Sequence, residues 1–217
     1  MPVAFHVSVV TPSPLPSTSP STPTHSMASP AAPGLFFCFA AAVLLVFVSV
    51  SAPTWDRISF LDVSVSGQTT HFGVFGFTGS ATHVGYTFPS FAGATNLNTH
   101  VLHNLTNALI LHPVAAGLSG IAVLFGLCGA MYHRSGTIIM SLAALLAFLV
   151  TLVAWIIDMV LFGIVRVRVR DAAGNSSAAQ YGNANWLTLG ALVSLALAFC
   201  AGTCGSFGRY RRGGNRV

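Results

Sequence analysis

Four long apolar runs, at 34–52, 112–131, 137–165 and 186–207, limit what this chain can fold into. At about 1.5 Å per residue each reaches roughly 28 Å or more, the thickness of a bilayer's hydrocarbon core. Helices that long satisfy their own backbone hydrogen bonds, which is what a lipid solvent demands. The expected fold is therefore an all-α membrane protein, a four-transmembrane-helix bundle. Charged residues make up only 6% of the chain, against about a quarter in soluble domains, so water is the wrong solvent for most of it. Every basic residue is Arg and every acidic one Asp. The arginines flank the apolar runs and do not build the dense basic face that a nucleic-acid partner requires.

Between these runs the sequence changes character. Residues 1–33 are rich in Pro, Ser and Thr and read as a disordered tail. Run 34–52 reads as the first membrane helix, with a signal peptide as the competing interpretation. Residues 53–111 form the one sizeable loop. Within it, Phe60-Leu61-Asp62-Val63-Ser64-Val65 alternates as a strand does, and Phe72-Gly73-Val74-Phe75-Gly76-Phe77 sets aromatic residues against glycine. This loop predicts a small β-rich extracellular domain. His112-Pro113 opens the second run, proline being suited to a first helical turn. Small residues at helical spacing, Ala116 with Gly120 and Gly126 with Ala130, predict close helix approach. A turn at 132–136 makes helices two and three antiparallel neighbours. The third run, 137–165, is long enough to tilt or project from the bilayer. The second loop, 166–185, opens on the strand-like Arg166-Val167-Arg168-Val169-Arg170 and continues through a polar turn at Asp171 to Ser177. Asn185 is a plausible cap for run 186–207, and 208–217 is a basic tail.

Charge counting scarcely orients the chain, with five arginines (134, 209, 211, 212, 216) on one side and four (57, 166, 168, 170) on the other. Cysteines orient it better. Cys38, Cys128, Cys200 and Cys204 all fall towards the face of the termini, as suits a reducing compartment. The glycosylation sequons at Asn104 and Asn175 fall on the opposite face. The expected arrangement is a multi-pass protein with both termini cytosolic.

Few groups carry chemistry. Asp158 is the single ionisable residue well inside a run, and an intramembrane carboxylate is a functional candidate by default. Counted from Arg134, His112 lies 22 residues back and Asp158 lies 24 on, which sets the two at nearly equal height. They form a candidate pH-responsive pair. A structural polar clasp and a pairing of Asp158 with Arg166 are the alternatives. Trp155, one turn below, suits the aromatic belt at the membrane boundary. His100 and His103 fall short of a metal site without a third ligand, and His71 and His83 read as loop histidines. Cys200 and Cys204, one turn apart, are candidates for S-acylation or small fillers between helices. The three arginines 166, 168 and 170 suit anionic headgroups, an acidic partner, or pairing with Asp56, Asp62 or Asp171. No catalytic or nucleotide-binding motif is present, so no enzyme activity, cofactor, metal or small-molecule substrate is expected.

Several segments, in this order and spacing, resemble the fungal PalI family of pH-response regulators, within the wider Sur and claudin-like tetraspans. They are Phe72 to Phe77, Val84-Gly85-Tyr86, His103-Asn104-Leu105-Thr106, Leu111-His112-Pro113-Val114-Ala115-Ala116-Gly117, Asp158-Met159-Val160-Leu161-Phe162-Gly163 and Tyr181-Gly182-Asn183-Ala184-Asn185-Trp186-Leu187. The likeness runs from about Leu35 to Arg212. It implies a non-enzymatic plasma-membrane protein of ambient-pH signalling that assists a separate seven-helix pH sensor. The Sur branch implies instead an organiser of membrane domains or the cell-wall interface, and a small channel or transporter is a third reading. Unlike claudins, the first loop has Trp55 but no cysteine, so a disulfide-stapled loop is unavailable.

Overall fold

The computed structural model describes residues 32–65, 67–89, 99–131, 134–173 and 177–208. Its elements are α1 (Ala32–Ser49), β1 (Leu61–Val65), β2 (Gln68–Phe72), α2 (His100–Ala108), α3 (Leu111–Met131), α4 (Arg134–Ala173), β3 (Ser177–Tyr181) and α5 (Ala184–Gly208). Among the described residues, four helical segments are long and apolar enough to cross a membrane. They close a ring in which α1 packs on α3 and α5, and α4 packs on α3 and α5. The four-helix bundle with a small β domain is thus the observed fold.

Three layers of side chains fill the bundle. The layer farthest from the sheet joins Cys38, Ala122, Met140, Ala144 and Ala198. The middle layer joins Ala41, Leu45, Ala115, Ala147, Ala191 and Leu195. Alanine dominates both, as expected where helices associate in lipid by close packing rather than by escape from water. Of the two small-residue pairs in α3, Gly126 is used for close approach. A Cβ there would stand 2.6 Å from Met140 Sδ and 2.8 Å from Leu35 Cδ1, whereas at Gly120 it would meet nothing.

The sheet has the order β2-β1-β3, both pairings antiparallel. Leu61 and Val63 of β1 turn inward, as the alternation predicted. They join a core with Phe72, Tyr86, Phe88, Leu102 and, from α4, Leu161, Phe162, Val165 and Val169. The sheet therefore rests directly on the end of the bundle.

Four expectations are corrected here. The first helix begins at Ala32, which places Pro33 inside its first turn, where its missing N–H is harmless. Segment 166–170, expected as strand-like, is helical, because α4 continues unbroken to Ala173. Alternation over five residues also fits a helix, and Val165 and Val169, one turn apart, both bury against the sheet domain. The loop 53–111 contains a helix, α2, whose Leu102, Leu105 and Thr106, with Leu109 at its C-cap, follow helical spacing. Strand β3 lies where the sequence predicts turn and linker. The tail 1–31, part of the turn at 132–136, Asn175 and the arginines from 209 onward lie outside the described residues.

Candidate functional site

The candidate site lies where the sheet meets the bundle, and its construction begins with a proline. Pro113 has no N–H, so the helical bond it would give to the Leu109 carbonyl is missing. That carbonyl is met instead by the backbone N–H of His112 (3.1 Å) and by His112 Nδ1 (3.2 Å). Only a protonated Nδ1 can donate to a carbonyl, so the proton on that nitrogen is fixed.

His112 Nε2 is thereby turned to α4, where it stands 3.0 Å from Asp158 Oδ2 with both side chains fully excluded from solvent. The approach has ion-pair length, but neither carboxylate oxygen nor Nε2 has a well-directed hydrogen bond among the described residues. With Nδ1–H committed, a further proton can sit on either partner of the pair. Either an imidazolium faces a carboxylate, or a neutral imidazole accepts from a carboxylic acid. Asp158 therefore pairs with His112 and not with Arg166. The Arg166 Nε donates to the Ala179 carbonyl (3.0 Å), and its guanidinium lies 5.1 Å above the Tyr181 ring.

Phe60 closes the site from the sheet side. Its ring meets the His112 imidazole edge-on at 5.2 Å and stacks on Phe162 at 5.3 Å. The chain after β3 clamps this segment. Gly182 N–H and Asn185 Nδ2 both donate to the Phe60 carbonyl (2.9 and 3.0 Å), and Ala184 N–H donates to Ser59 O (2.9 Å). Asn183 receives Ser59 N–H at 3.2 Å and donates to Arg57 O at 2.8 Å. A side chain at Gly182 would collide with the Ser59 backbone, so only glycine admits this approach. Asn185 lies inside the first turn of α5 and holds Phe60; it does not cap the helix. Tyr86 completes the wall. Burial first, and the Asp158 carboxylate second, push its phenol far up, so it stays protonated and donates to the Gly73 carbonyl (3.1 Å).

The other residues singled out from sequence lie elsewhere. Asn104 is exposed on α2, while the hydroxyl of Thr106 in the same sequon is buried against Tyr86 O (3.1 Å) and His103 O (2.8 Å). Cys200 and Cys204 are exposed near the far end of α5, Cys128 is exposed, and Cys38 is buried between helices. Asp62 takes His71 Nδ1 at 2.7 Å, and Asp56 accepts from Thr78 Oγ1 at 2.9 Å. Among the described residues, no three His, Cys or Asp side chains gather closely enough to hold a metal ion. Phe60 is the residue that sequence reasoning passed over. Its signal was a large aromatic residue at the leading edge of an alternating strand.

A multi-pass membrane protein is thus defined, with a small sheet held on the end of a bundle beside a buried His–Asp couple. The SUR7/PalI family model matches residues 30–200, most of the chain, and the protein belongs to that family. No curated protein matches the sequence significantly. The resemblance noted from sequence rested on residues that the fold gathers at one place: His112, Phe162, Gly182 and Asn185 meet Phe60, Asn183 holds the neighbouring Arg57 and Ser59, and Asp158 joins through His112.

Proposed function

We propose that this chain is a non-enzymatic plasma-membrane component of ambient, alkaline pH signalling. It assists a separate multi-helix pH sensor in reaching or acting at the cell surface, and both of its own termini are cytosolic. Family membership supports the general class. The observation that carries the finer reading is the His112–Asp158 couple. Histidine is the side chain whose ordinary titration lies in the physiological range, and here it joins a carboxylate beneath the Phe60 ring, where the sheet domain meets the bundle. Among the described residues, Tyr86 is the further titratable group close enough to act on Asp158, and it stays neutral. A change in the proton held by the couple therefore bears on how the sheet sits, and through it on a partner in the same membrane.

A strain lacking the chain tests this reading. Failure to grow at alkaline pH with the sensor mislocalised, restored by the native chain but not by His112→Gln, is the expected result. Full rescue by His112→Gln removes the couple from the mechanism. Normal alkaline growth with altered membrane patches replaces this reading with that of a membrane-domain organiser.

A further inference from the structure

The four cysteines are placed in two different ways. Cys38 fills a layer of the bundle among Ala122, Met140, Ala144 and Ala198. Cys128, Cys200 and Cys204 are free and exposed. Helical spacing shows what they face. On α5, Ala191, Leu195, Ala198 and Gly202 turn into the bundle, while Val193, Leu197, Cys200 and Cys204 form the opposite stripe. On α3, Ala115, Ala122 and Gly126 turn inward, and Ile121, Leu124 and Cys128 turn out. Outward residues of membrane-spanning helices meet lipid, so these three thiols are not fillers between helices of this chain.

Depth then separates the three. The exposed Trp186, in the first turn of α5, marks the membrane boundary on the sheet side. Cys200 lies about 21 Å along the helix from it and Cys204 about 27 Å. A hydrocarbon core of about 30 Å therefore ends within one turn of Cys204, whereas Cys200 is a full turn deeper. Cys128 is level with Cys204. A Cβ at Gly126 would stand 2.6 Å from Met140 Sδ, and one at Gly202 3.6 Å from Met140 Cε, so the two glycines share a height. Each cysteine is two residues further towards the same end. In sequence the positive charge begins just beyond, with Arg134 after Cys128 and Arg209, Arg211 and Arg212 after Cys204.

We propose that Cys204 and Cys128 are S-acylated by a long-chain acyl-coenzyme A, and that Cys200 and Cys38 are not. The thiol sulfur attacks the acyl carbonyl carbon, and a new carbon–sulfur bond forms as the bond to coenzyme A breaks. The proton of the cysteine leaves with the coenzyme A thiol, and nothing is oxidised or reduced. A thiol at the boundary can be reached by a carrier whose phosphates stay in water while its acyl chain lies in hydrocarbon. On α5 the attached chain then runs back along Leu197 and Val193. Arginines just beyond the thiols attract the carrier's phosphates. Metal binding is no rival, since among the described residues no three His, Cys or Asp side chains gather to hold an ion. The proposal rests on the cytosolic placement of the termini given above, because acyl-coenzyme A is a cytosolic carrier. It does not depend on the pH-signalling role.

The test is acyl exchange on the full chain expressed in fungal cells. Free thiols are blocked, thioesters are cleaved with neutral hydroxylamine, and the released thiols take a tag that mass spectrometry maps to the residue. Hydroxylamine-dependent tags are expected on Cys128 and Cys204. Incorporation of alkyne palmitate should fall at least five-fold (~) in the Cys128→Ser/Cys204→Ser chain and less than about two-fold in Cys200→Ser. Mapping on the native chain needs no variant to fold. A Val217→Cys chain treated with a membrane-impermeant maleimide reads the side of the C-terminus, and label only after permeabilisation is expected. Absence of the tag from Cys204 or from Cys128 in a chain whose tail is cytosolic overturns the proposal alone. Tags on Cys200 or Cys38 equal to those on Cys204 also overturn it. Tail label on intact cells overturns the orientation, and the proposal with it.

Discussion

The two ends of the bundle are built on different principles. At the far end and middle, alanine and leucine pack in layers, and several hydroxyls are absorbed locally. Thr151 returns its hydrogen to Ala147 O (2.7 Å), Ser194 to Gly190 O (2.8 Å), and Thr203 to Phe199 O (2.9 Å), each within one turn of its own helix. At the sheet end the bonds span the chain. Residues 57–60 are held by residues 182–185, and α3 is tied to α4 by the buried couple. The difference shows where specificity resides. Lipid-solvated layers need only small residues and satisfied hydroxyls, whereas the junction needs particular side chains at particular atoms.

That contrast can be broken in three places. His112→Leu strands the Asp158 carboxylate and should cost about 3–5 kcal/mol, most of it recovered in the double variant with Asp158→Leu. Thermal unfolding of the detergent-solubilised protein measures both, and equal losses in the single and double variants would sink the account of the couple. Gly126→Leu in the far layers should cost about 1–3 kcal/mol by overpacking, because the flexible Met140 and Leu35 side chains can partly yield. Thr151→Val, which removes only a local bond, should change stability by about 1 kcal/mol or less. A reversed order of these three would place the structural specificity at the wrong end.

The far end was the more legible in sequence for the same reason. Long apolar runs state their own fold, and small residues at helical spacing pointed to the contact at Gly126. The equal height of His112 and Asp158 followed from helical rise alone, once the short turn between α3 and α4 was recognised. The junction was read less completely. Strand β3 is Ser-Ala-Ala-Gln-Tyr, residues of little strand preference apart from its tyrosine, and it forms because β1 offers a free edge against α4. The arginine–valine alternation satisfied two periods at once, and only the helix beneath it decides between them. Asn185 looked like a cap because a polar residue before an apolar run usually is one. Its bond to Phe60, 125 residues away, could not be inferred from local pattern.

Pro113 has no N–H to offer, yet it helps to decide what the buried couple is. A carbonyl oxygen has two lone pairs, and at Leu109 both are left to His112 because the residue four places on has no hydrogen to offer. The chemical identity of one imidazole nitrogen is thus written in the covalent backbone, beyond the reach of any neighbouring side chain. Two adjacent letters, His and Pro, form a single functional word, and a change in the second would alter the meaning of the first.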